Sequence, residues 1–197
     1  MAIHDEAVIT KFQESGALMT GHFVLSSGLH SGVYLQCAIA LQSPVVAAEF
    51  GAAIAERFQN EQIETVASPA LGGLIIGYEV ARHLGARFLW TERANGEMTL
   101  RRGFSIRSGE RVLVVEDVVT TGGSTRETIE VLSSSGATIV AAASIIDRSG
   151  GQAEIGVPRF SLAMIDVPAV APADCDACKR GEPILKPGSR TTVGSGQ

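Results

Sequence analysis

The segment RVLVVEDVVTTGGSTRETIEVL, residues 111–132, determines the fold of this chain. The apolar run at 112–115 predicts a buried central strand, which ends on two carboxylates, Glu116 and Asp117. A short loop of threonine and glycine follows, and then a helix for which Ser124 is the expected N-cap residue. Because ligands of open parallel sheets bind beyond the carboxyl ends of the strands, this turn is where a site is expected.

The loop after this strand has the composition of a phosphate-binding loop. Gly122 and Gly123 allow backbone N–H groups to converge, and the helix start adds its positive end. Hydroxyl groups of Thr120, Thr121 and Ser124 supply further donors. The adjacent carboxylates suit a ligand that also carries sugar hydroxyls and Mg²⁺. The alternative is that the acids cap the loop and the glycines form a tight turn. A Walker loop fits poorly, because no lysine follows the glycines.

Strands and helices alternate through the rest of the chain. TVAS, ARFLW and ATIVAAASIID predict further strands, and GGLIIGYEVARHLG predicts a helix that ends at Gly85. Earlier in the chain we expect a helix over 5–15, a β-hairpin or two short strands in HFVLSSGLHSGVYLQC, and a helix from Ser43–Pro44 to near residue 60. The polar stretch 92–107 is expected to be a loop. This pattern predicts an α/β fold with a parallel central sheet flanked by helices.

Length and composition limit the class of protein. The chain has 197 residues, 45% of them hydrophobic and 19% charged, which predicts one globular domain over 1–197. A net charge of −5 argues against general nucleic-acid binding. No apolar run reaches the length of a membrane span, and the N-terminus lacks the features of a secretory signal. The expectation is a soluble cytoplasmic protein without nucleic-acid or membrane partners.

The three cysteines do not predict a disulfide framework. Cys175 and Cys178 have the spacing of a zinc knuckle, but a structural zinc site needs a second pair of ligands. Cys37 and the scattered histidines offer no such pair at a recognisable spacing. An inert surface turn is therefore the favoured interpretation of CDAC, with zinc binding and a redox pair as alternatives.

The sequence VLVVEDVVTTGGST resembles the signature of type I phosphoribosyltransferases, which bind 5-phosphoribosyl-1-pyrophosphate (PRPP). The resemblance implies that the paired acids contact the ribose hydroxyls, with Asp117 also catalytic, and that the loop holds the 5′-phosphate. The residues implied in PRPP binding are Glu116, Asp117, Val118, Val119, Thr120, Thr121, Gly122, Gly123 and Ser124.

Further segments resemble the orotate-specific branch of that family. GHFVLSSGLHSGVYLQC is similar to its N-terminal hood, SPALGGLIIG to its pyrophosphate loop, and SIIDRSGG to the strand end whose arginine recognises the orotate carboxylate. The resemblance implies transfer of the phosphoribosyl group from PRPP to orotate, with Thr120 and Arg148 at the base. It also implies Mg²⁺ held through PRPP without direct protein ligands, a homodimer, and a hood of roughly residues 1–40 with part of the C-terminal arm. The arm CDACKRGEPILKPGSR is similar to that of a bacterial subgroup.

Two positions and one segment depart from the family pattern. Ser26 and Gly72 stand where the family usually has lysines, and WTERANGEMTLRRGF lacks the usual Arg-Lys pair of the mobile loop. The cations available for the leaving pyrophosphate are Arg93, Arg101 and Arg102, of which Arg93 lies nearest the family's basic pair. Two other functions remain open from sequence: a phosphoribosyltransferase for a purine base, and a regulator that senses PRPP without catalysis.

Overall fold

The computed structural model describes residues 5–25, 28–165 and 168–186. The helices in these ranges are α1 (Asp5–Glu14), α2 (Cys37–Leu41), α3 (Pro44–Phe58), α4 (Gly73–Leu84), α5 (Gly123–Ser134) and α6 (Asp176–Lys179). The strands are β1 (Leu18–Val24), β2 (His30–Leu35), β3 (Thr65–Pro69), β4 (Arg87–Ala94), β5 (Glu97–Leu100), β6 (Arg111–Val119), β7 (Thr138–Asp147), β8 (Arg159–Met164) and β9 (Ala169–Val170).

A six-stranded sheet in the order β5-β4-β3-β6-β7-β8 forms the larger of two compact units, which spans Met1–Ala17 and Cys37–Asp166. Strands β4, β3, β6, β7 and β8 run parallel, and β5 pairs antiparallel with β4. The side chains of Val112 and Val114 pack with Leu132 of α5, so Leu113 and Val115 point to the opposite face. Helices α3 and α4 also contact this sheet. The predicted parallel α/β sheet is confirmed.

The local signals at two helices act as the sequence predicts. The Ser43 side chain accepts a hydrogen bond from Val46 N, and Pro44 begins α3. Gly85 ends α4 in the left-handed conformation, with φ of 66°. Ser43 thus marks the start of α3, and Gly85 marks the end of α4.

Two local predictions were wrong. Gly122, not Ser124, is the N-cap of α5, with φ of 73° and no side-chain cap, so Ser124 lies inside the first turn. Within the stretch 92–107, which we expected to be a loop, β4 and β5 form a hairpin closed by Asn95 and Gly96. Both of these residues have positive φ, 54° and 89°, as a two-residue hairpin turn requires. The sequence does carry a signal for this hairpin, since the pair Asn-Gly favours a two-residue hairpin turn.

The smaller compact unit comprises Leu18–Gln36 and Val167–Gln197. Strand β1 pairs antiparallel with β2, which confirms the expected hairpin, and β2 pairs with the short β9. A further bridge joins Phe23 to Leu185. The proposal of one domain with a hood stays a prediction. In the described part of the chain, no helix has the length and apolar character that crossing a bilayer requires.

Candidate active site

The predicted site residues of the central segment meet at the carboxyl end of β6. A cavity of about 280 Å³ is lined there by residues 118–125 together with Arg93 and Glu116. The side chain of Glu116 is buried, whereas Ser124 and Thr121 are exposed to solvent. The structure therefore brings the whole predicted loop, one of the two acids and one of the three candidate arginines to a single cavity.

Gly122 packs so closely against Ile155 that the loop has no room for a side chain at this position. A Cβ atom at this position would lie 2.6 Å from Ile155 Cγ2, in addition to requiring an unfavourable positive φ. Arg126 fixes the loop from outside, since its Nη1 donates to Thr121 O at 2.9 Å and to Glu154 O at 2.8 Å. The free N–H groups of the first turn of α5 begin at this point, so the cavity ends on a site suited to an anion.

Glu116 and Asp117 form a tightly coupled acidic pair. Burial is the main cause that raises the pKa of Glu116 to about 9, and the negative charge of the neighbouring Asp117 adds to the effect. Burial likewise raises the pKa of Asp117 above its ordinary value. The Asp117 carboxylate is oriented by Val118 N, which donates to Oδ1 at 2.8 Å. Ionisation of both adjacent acids is unfavourable in this buried place. The pair therefore favours a ligand that brings hydroxyl donors or positive charge to it.

Gly72 lies directly against this pair. A Cβ atom built at Gly72 would lie 2.7 Å from Asp117 Oδ1, and one at Gly73 would lie 2.8 Å from Val115 O. The peptide between Ala70 and Leu71, just before them, is cis. Any larger residue at position 72 would have to displace the Asp117 carboxylate from its place in this chain.

Arg148 is positioned by the strand next to β6. Its backbone N donates to Val119 O at 2.8 Å, which places Arg148 beside the start of the loop. The carboxylate of the preceding residue, Asp147, is buried and forms an ion pair with Arg159, 2.9 Å apart. Ser149 N and Oγ also donate to Asp147, each at 2.6 Å. Asp147 thus has partners of its own that fix the strand end.

The three candidate arginines separate into two environments. Arg93 lines the cavity, where its Nη2 lies 2.5 Å from Glu127 Oε2 and its Nη1 donates to Gly96 O. Arg101 and Arg102 both pair with Glu92, and Arg102 does so with two hydrogen bonds. Only Arg93 of these three therefore borders the phosphate loop. Ser26, the other departure from the family pattern, lies outside the described residues.

Cys37 is a site residue that the sequence did not identify. This thiol is buried near Asp117, and burial, followed by the negative charge of Asp117, raises the pKa of Cys37. A thiol with a raised pKa stays protonated and can act as a weak hydrogen-bond donor. No local signal could have found it, because the two residues are far apart in sequence.

The C-terminal cysteines are not the inert surface turn that we favoured. Cys175 is buried, and Cys178 lies 3.5 Å from His22 Nε2 and 3.2 Å from His30 Nδ1. The histidines come from β1 and β2, so the hairpin brings two imidazoles next to the cysteine pair, a contact that sequence spacing did not reveal.

Comparison with known sequences gives one consistent family. The model of the phosphoribosyl transferase domain matches residues 40–169. A protein of Pelotomaculum thermopropionicum named orotate phosphoribosyltransferase is 51% identical over 185 residues, which cover 94% of this chain and 97% of that protein. One of the same name from Thermotoga maritima is 53% identical over 178 residues, covering 90% and 95% of the two chains.

Solved structures give the same architecture. The crystal structure of orotate phosphoribosyltransferase from Aeropyrum pernix is 29% identical, with a TM-score of 0.66, and the match covers 80% of this chain and 93% of that one. Adenine phosphoribosyltransferase from Rhodothermus marinus, at 24% identity and a TM-score of 0.63, shares the fold over 80% of this chain and 99% of its own.

Proposed function

The chain belongs to the orotate phosphoribosyltransferase family, and on that premise we propose that it transfers the 5-phosphoribosyl group of PRPP to orotate, giving orotidine 5′-monophosphate and pyrophosphate. This reaction belongs to the de novo synthesis of UMP. The observation that carries the proposal is the cavity at the end of β6, where the phosphate loop, Glu116 and Arg93 meet; Asp117 adjoins Glu116, and the Arg148 backbone lies beside the start of the loop.

The residues of the cavity suit each part of PRPP. The first-turn N–H groups of α5 and the hydroxyls of Thr120, Thr121 and Ser124 hold the 5′-phosphate. The carboxylates of Glu116 and Asp117 accept hydrogen bonds from the ribose 2′- and 3′-hydroxyls. In the proposed reaction the anomeric C–O bond to pyrophosphate breaks as orotate N1 bonds to C1′, and the N1 proton is released to water or to the leaving pyrophosphate. Positive charge develops on the ribose beside the acids, and catalysis consists mainly of positioning and charge stabilisation.

Mg²⁺ fits the acidic pair. Glu116 and Asp117 are adjacent, largely buried carboxylates whose pKa values are raised by burial, and carboxylates are the donors that Mg²⁺ prefers. Mg²⁺ would enter with PRPP beside these acids and would neutralise charge on the leaving pyrophosphate. Among the candidate arginines, Arg93 is placed to share that role.

The base is recognised by Arg148 and Thr120 in this proposal. A guanidinium group binds a carboxylate through two parallel hydrogen bonds, a geometry that lysine does not reproduce. Arg148 therefore gives the site a reason to select orotate over adenine or xanthine, which carry no carboxylate.

Loss of the near-ultraviolet absorbance of orotate in the presence of PRPP and Mg²⁺ tests the function directly. Adenine and xanthine are supplied in parallel, with pyrophosphate release as the common measurement. We expect turnover with orotate only. Turnover with a purine base alone would favour the purine enzyme. Saturable PRPP binding without turnover of any base would favour the regulator.

We also propose a homodimer that acts in the cytoplasm. Leu71, Ile75 and Tyr78, at and near the start of α4, are exposed by 82%, 46% and 58%, and such a group of large apolar side chains is typical of an interface. Sedimentation analysis of the wild type against Tyr78→Glu tests the assembly. A wild type that stays monomeric at assay concentrations would contradict it.

A further inference from the structure

Four side chains of the smaller unit converge on one point outside the candidate active site. His22 lies on β1, His30 begins β2, Cys175 precedes α6, and Cys178 lies within α6. One ligand atom from each lies within 4.8 Å of the other three. His22, His30 and Cys175 are exposed by only 3%, 5% and 6%. We refer to these four residues as the His/Cys cluster.

The distances in the His/Cys cluster match the edges of a small tetrahedron. His22 Nε2 lies 3.5 Å from each of the two Sγ atoms, and His30 Nδ1 lies 3.2 Å from Cys178 Sγ. The two ring nitrogens are 2.8 Å apart. Zn–S bonds of about 2.3 Å and Zn–N bonds of about 2.0–2.1 Å separate the sulfur and nitrogen ligands of a tetrahedral site by about 3.5 Å. To bind a central ion, the two ring nitrogens would have to move only slightly further apart than 2.8 Å.

The hydrogen bond on the far side of His22 sets its tautomer. Nδ1 lies 3.0 Å from Glu182 O, and a carbonyl oxygen can only accept, so Nδ1 carries the proton. The lone pair of Nε2 then points into the cluster. A backbone carbonyl that orients a histidine in this way is the usual outer contact of a metal-bound imidazole.

From this geometry we propose that the smaller unit binds one Zn²⁺ through His22 Nε2, His30 Nδ1, Cys175 Sγ and Cys178 Sγ. Two thiolates and two imidazoles in a tetrahedron form a donor set that selects zinc over the harder cations Mg²⁺ and Ca²⁺. All four positions are taken by protein atoms, which makes the site structural rather than catalytic. It is distinct from the Mg²⁺ proposed for the reaction.

A bound ion would stabilise the attachment of the C-terminal arm to the hairpin of the smaller unit. The described C-terminal arm joins the hairpin through β9, which pairs only His30 with Val170 and Ser31 with Ala169, and through the bridge at Leu185. Ile184 and Leu185 are exposed by 52% and 51%, so they add little buried apolar surface. Small units with little core are commonly held by metals, whose binding energy becomes folding energy. The proposed ion joins the arm to the hairpin.

Zinc content tests the proposal without reference to turnover. The protein is purified under reducing conditions from zinc-containing medium, and zinc per chain is measured by inductively coupled plasma mass spectrometry. We expect one zinc per wild-type chain. Cys175→Ser and Cys178→Ser should each lower zinc affinity, measured against a chromogenic chelator, by at least about tenfold. Cys37→Ser and His83→Gln remove a thiol and an imidazole elsewhere and should keep one zinc.

Cobalt provides a test that does not depend on variants that may fail to fold. Co²⁺ exchanged into the wild type should show the visible bands of a tetrahedral ion and sulfur-to-metal charge transfer in the near ultraviolet. Removal of metal should speed amide hydrogen exchange in β1, β2 and α6 while the central sheet stays protected. Wild-type protein with three titratable thiols and no bound zinc or cobalt would overturn the proposal, as would a Cys175–Cys178 disulfide that persists in the reducing buffer.

Discussion

The backbone N–H of Arg148 donates to the carbonyl oxygen of Val119 across 2.8 Å, which extends the pairing of β6 with β7 up to the phosphate loop that follows β6. The two strands are parallel, with Val119 opposite Asp147, so the residue after each strand reaches the same edge of the sheet. The proposed base-binding residue is therefore a neighbour of the proposed PRPP loop through backbone geometry.

Arg148→Lys should reduce kcat/KM for orotate by about 10- to 150-fold, equivalent to the roughly 1.5–3 kcal/mol of a charge-assisted hydrogen bond. The charge is kept but the bidentate geometry is lost. PRPP affinity, measured by calorimetry, should stay within twofold of the wild type. Arg82→Lys on the exposed face of α4 is the matched control and should leave both quantities unchanged. An orotate rate equal to that of the wild type would remove Arg148 from the site.

Asp117→Asn should lower turnover by tenfold or more while the thermal unfolding temperature stays close to that of the wild type, because the Asp117 carboxylate is proposed to bind the ribose, whereas asparagine keeps its size and can still accept from Val118 N. Asp147→Asn provides the contrast. It breaks the buried ion pair with Arg159, at a cost of up to about 3 kcal/mol, the low end of the usual range because Arg159 is partly exposed. Calorimetric melting separates the two. A strongly destabilised Asp117→Asn protein would instead favour a structural cap.

Glu116→Gln should stabilise the ligand-free protein at high pH. Folding raises the pKa of Glu116 from 4.5 to about 9, so its contribution to stability is complete below pH 4.5 and is lost as the pH rises through about 9. Glutamine avoids this loss. At pH 8 the variant should melt a few degrees above the wild type, since about 1 kcal/mol corresponds to roughly 2–4 °C at this size. The gain should vanish near pH 4.5, and Glu130→Gln on the exposed side of α5 should show none.

Gly72→Ala should reduce activity because the new Cβ would lie 2.7 Å from Asp117 Oδ1 and push the carboxylate away from the ribose. We expect kcat to fall by an order of magnitude or more. Gly32→Ala, on β2, is the matched control, since nothing lies within 4 Å of its Cβ position. Steady-state kinetics of the two variants provide the measurement. Full activity of Gly72→Ala would show that the site tolerates a displaced Asp117.

Arg93→Ala should lower turnover by at least tenfold, because Arg93 is the candidate arginine on the cavity and a polyanionic leaving group needs compensating charge. Arg101→Ala and Arg102→Ala, which lose only contacts to Glu92, should retain more activity. Single-turnover rates distinguish the three. If all three variants are fully active, backbone donors and Mg²⁺ carry the leaving group.

A fluorescence measurement reports on movement of the segment that follows β5. Trp90 packs edge-on against Phe104, with ring centroids 4.7 Å apart. Closure of that segment over PRPP would separate or reorient these rings. A saturable change in Trp90 emission on addition of PRPP and Mg²⁺ is therefore expected, whereas orotate alone should leave it unchanged.

The sequence by itself determined the features that depend on neighbouring residues. The apolar run before Glu116, the glycines at 122 and 123, and the Ser43–Pro44 cap act through local backbone geometry, so strand, loop and helix could be predicted in order. The hairpin turn at Asn95–Gly96 also depends on neighbouring residues, because Asn-Gly favours the positive φ angles that a two-residue turn requires.

Tertiary structure alone decided the contacts between distant segments. The proximity of Cys37 to Asp117 depends on how the strands assemble. The same is true of the contact between Arg93, which its position in the sequence had already favoured, and the cavity. The His/Cys cluster is the clearest case, because His22 and Cys178 are separated by 156 residues and no spacing rule relates them. The sequence gives the chemistry of each side chain. Distances of a few ångströms between side chains of distant segments result from tertiary packing, which the local sequence pattern does not predict.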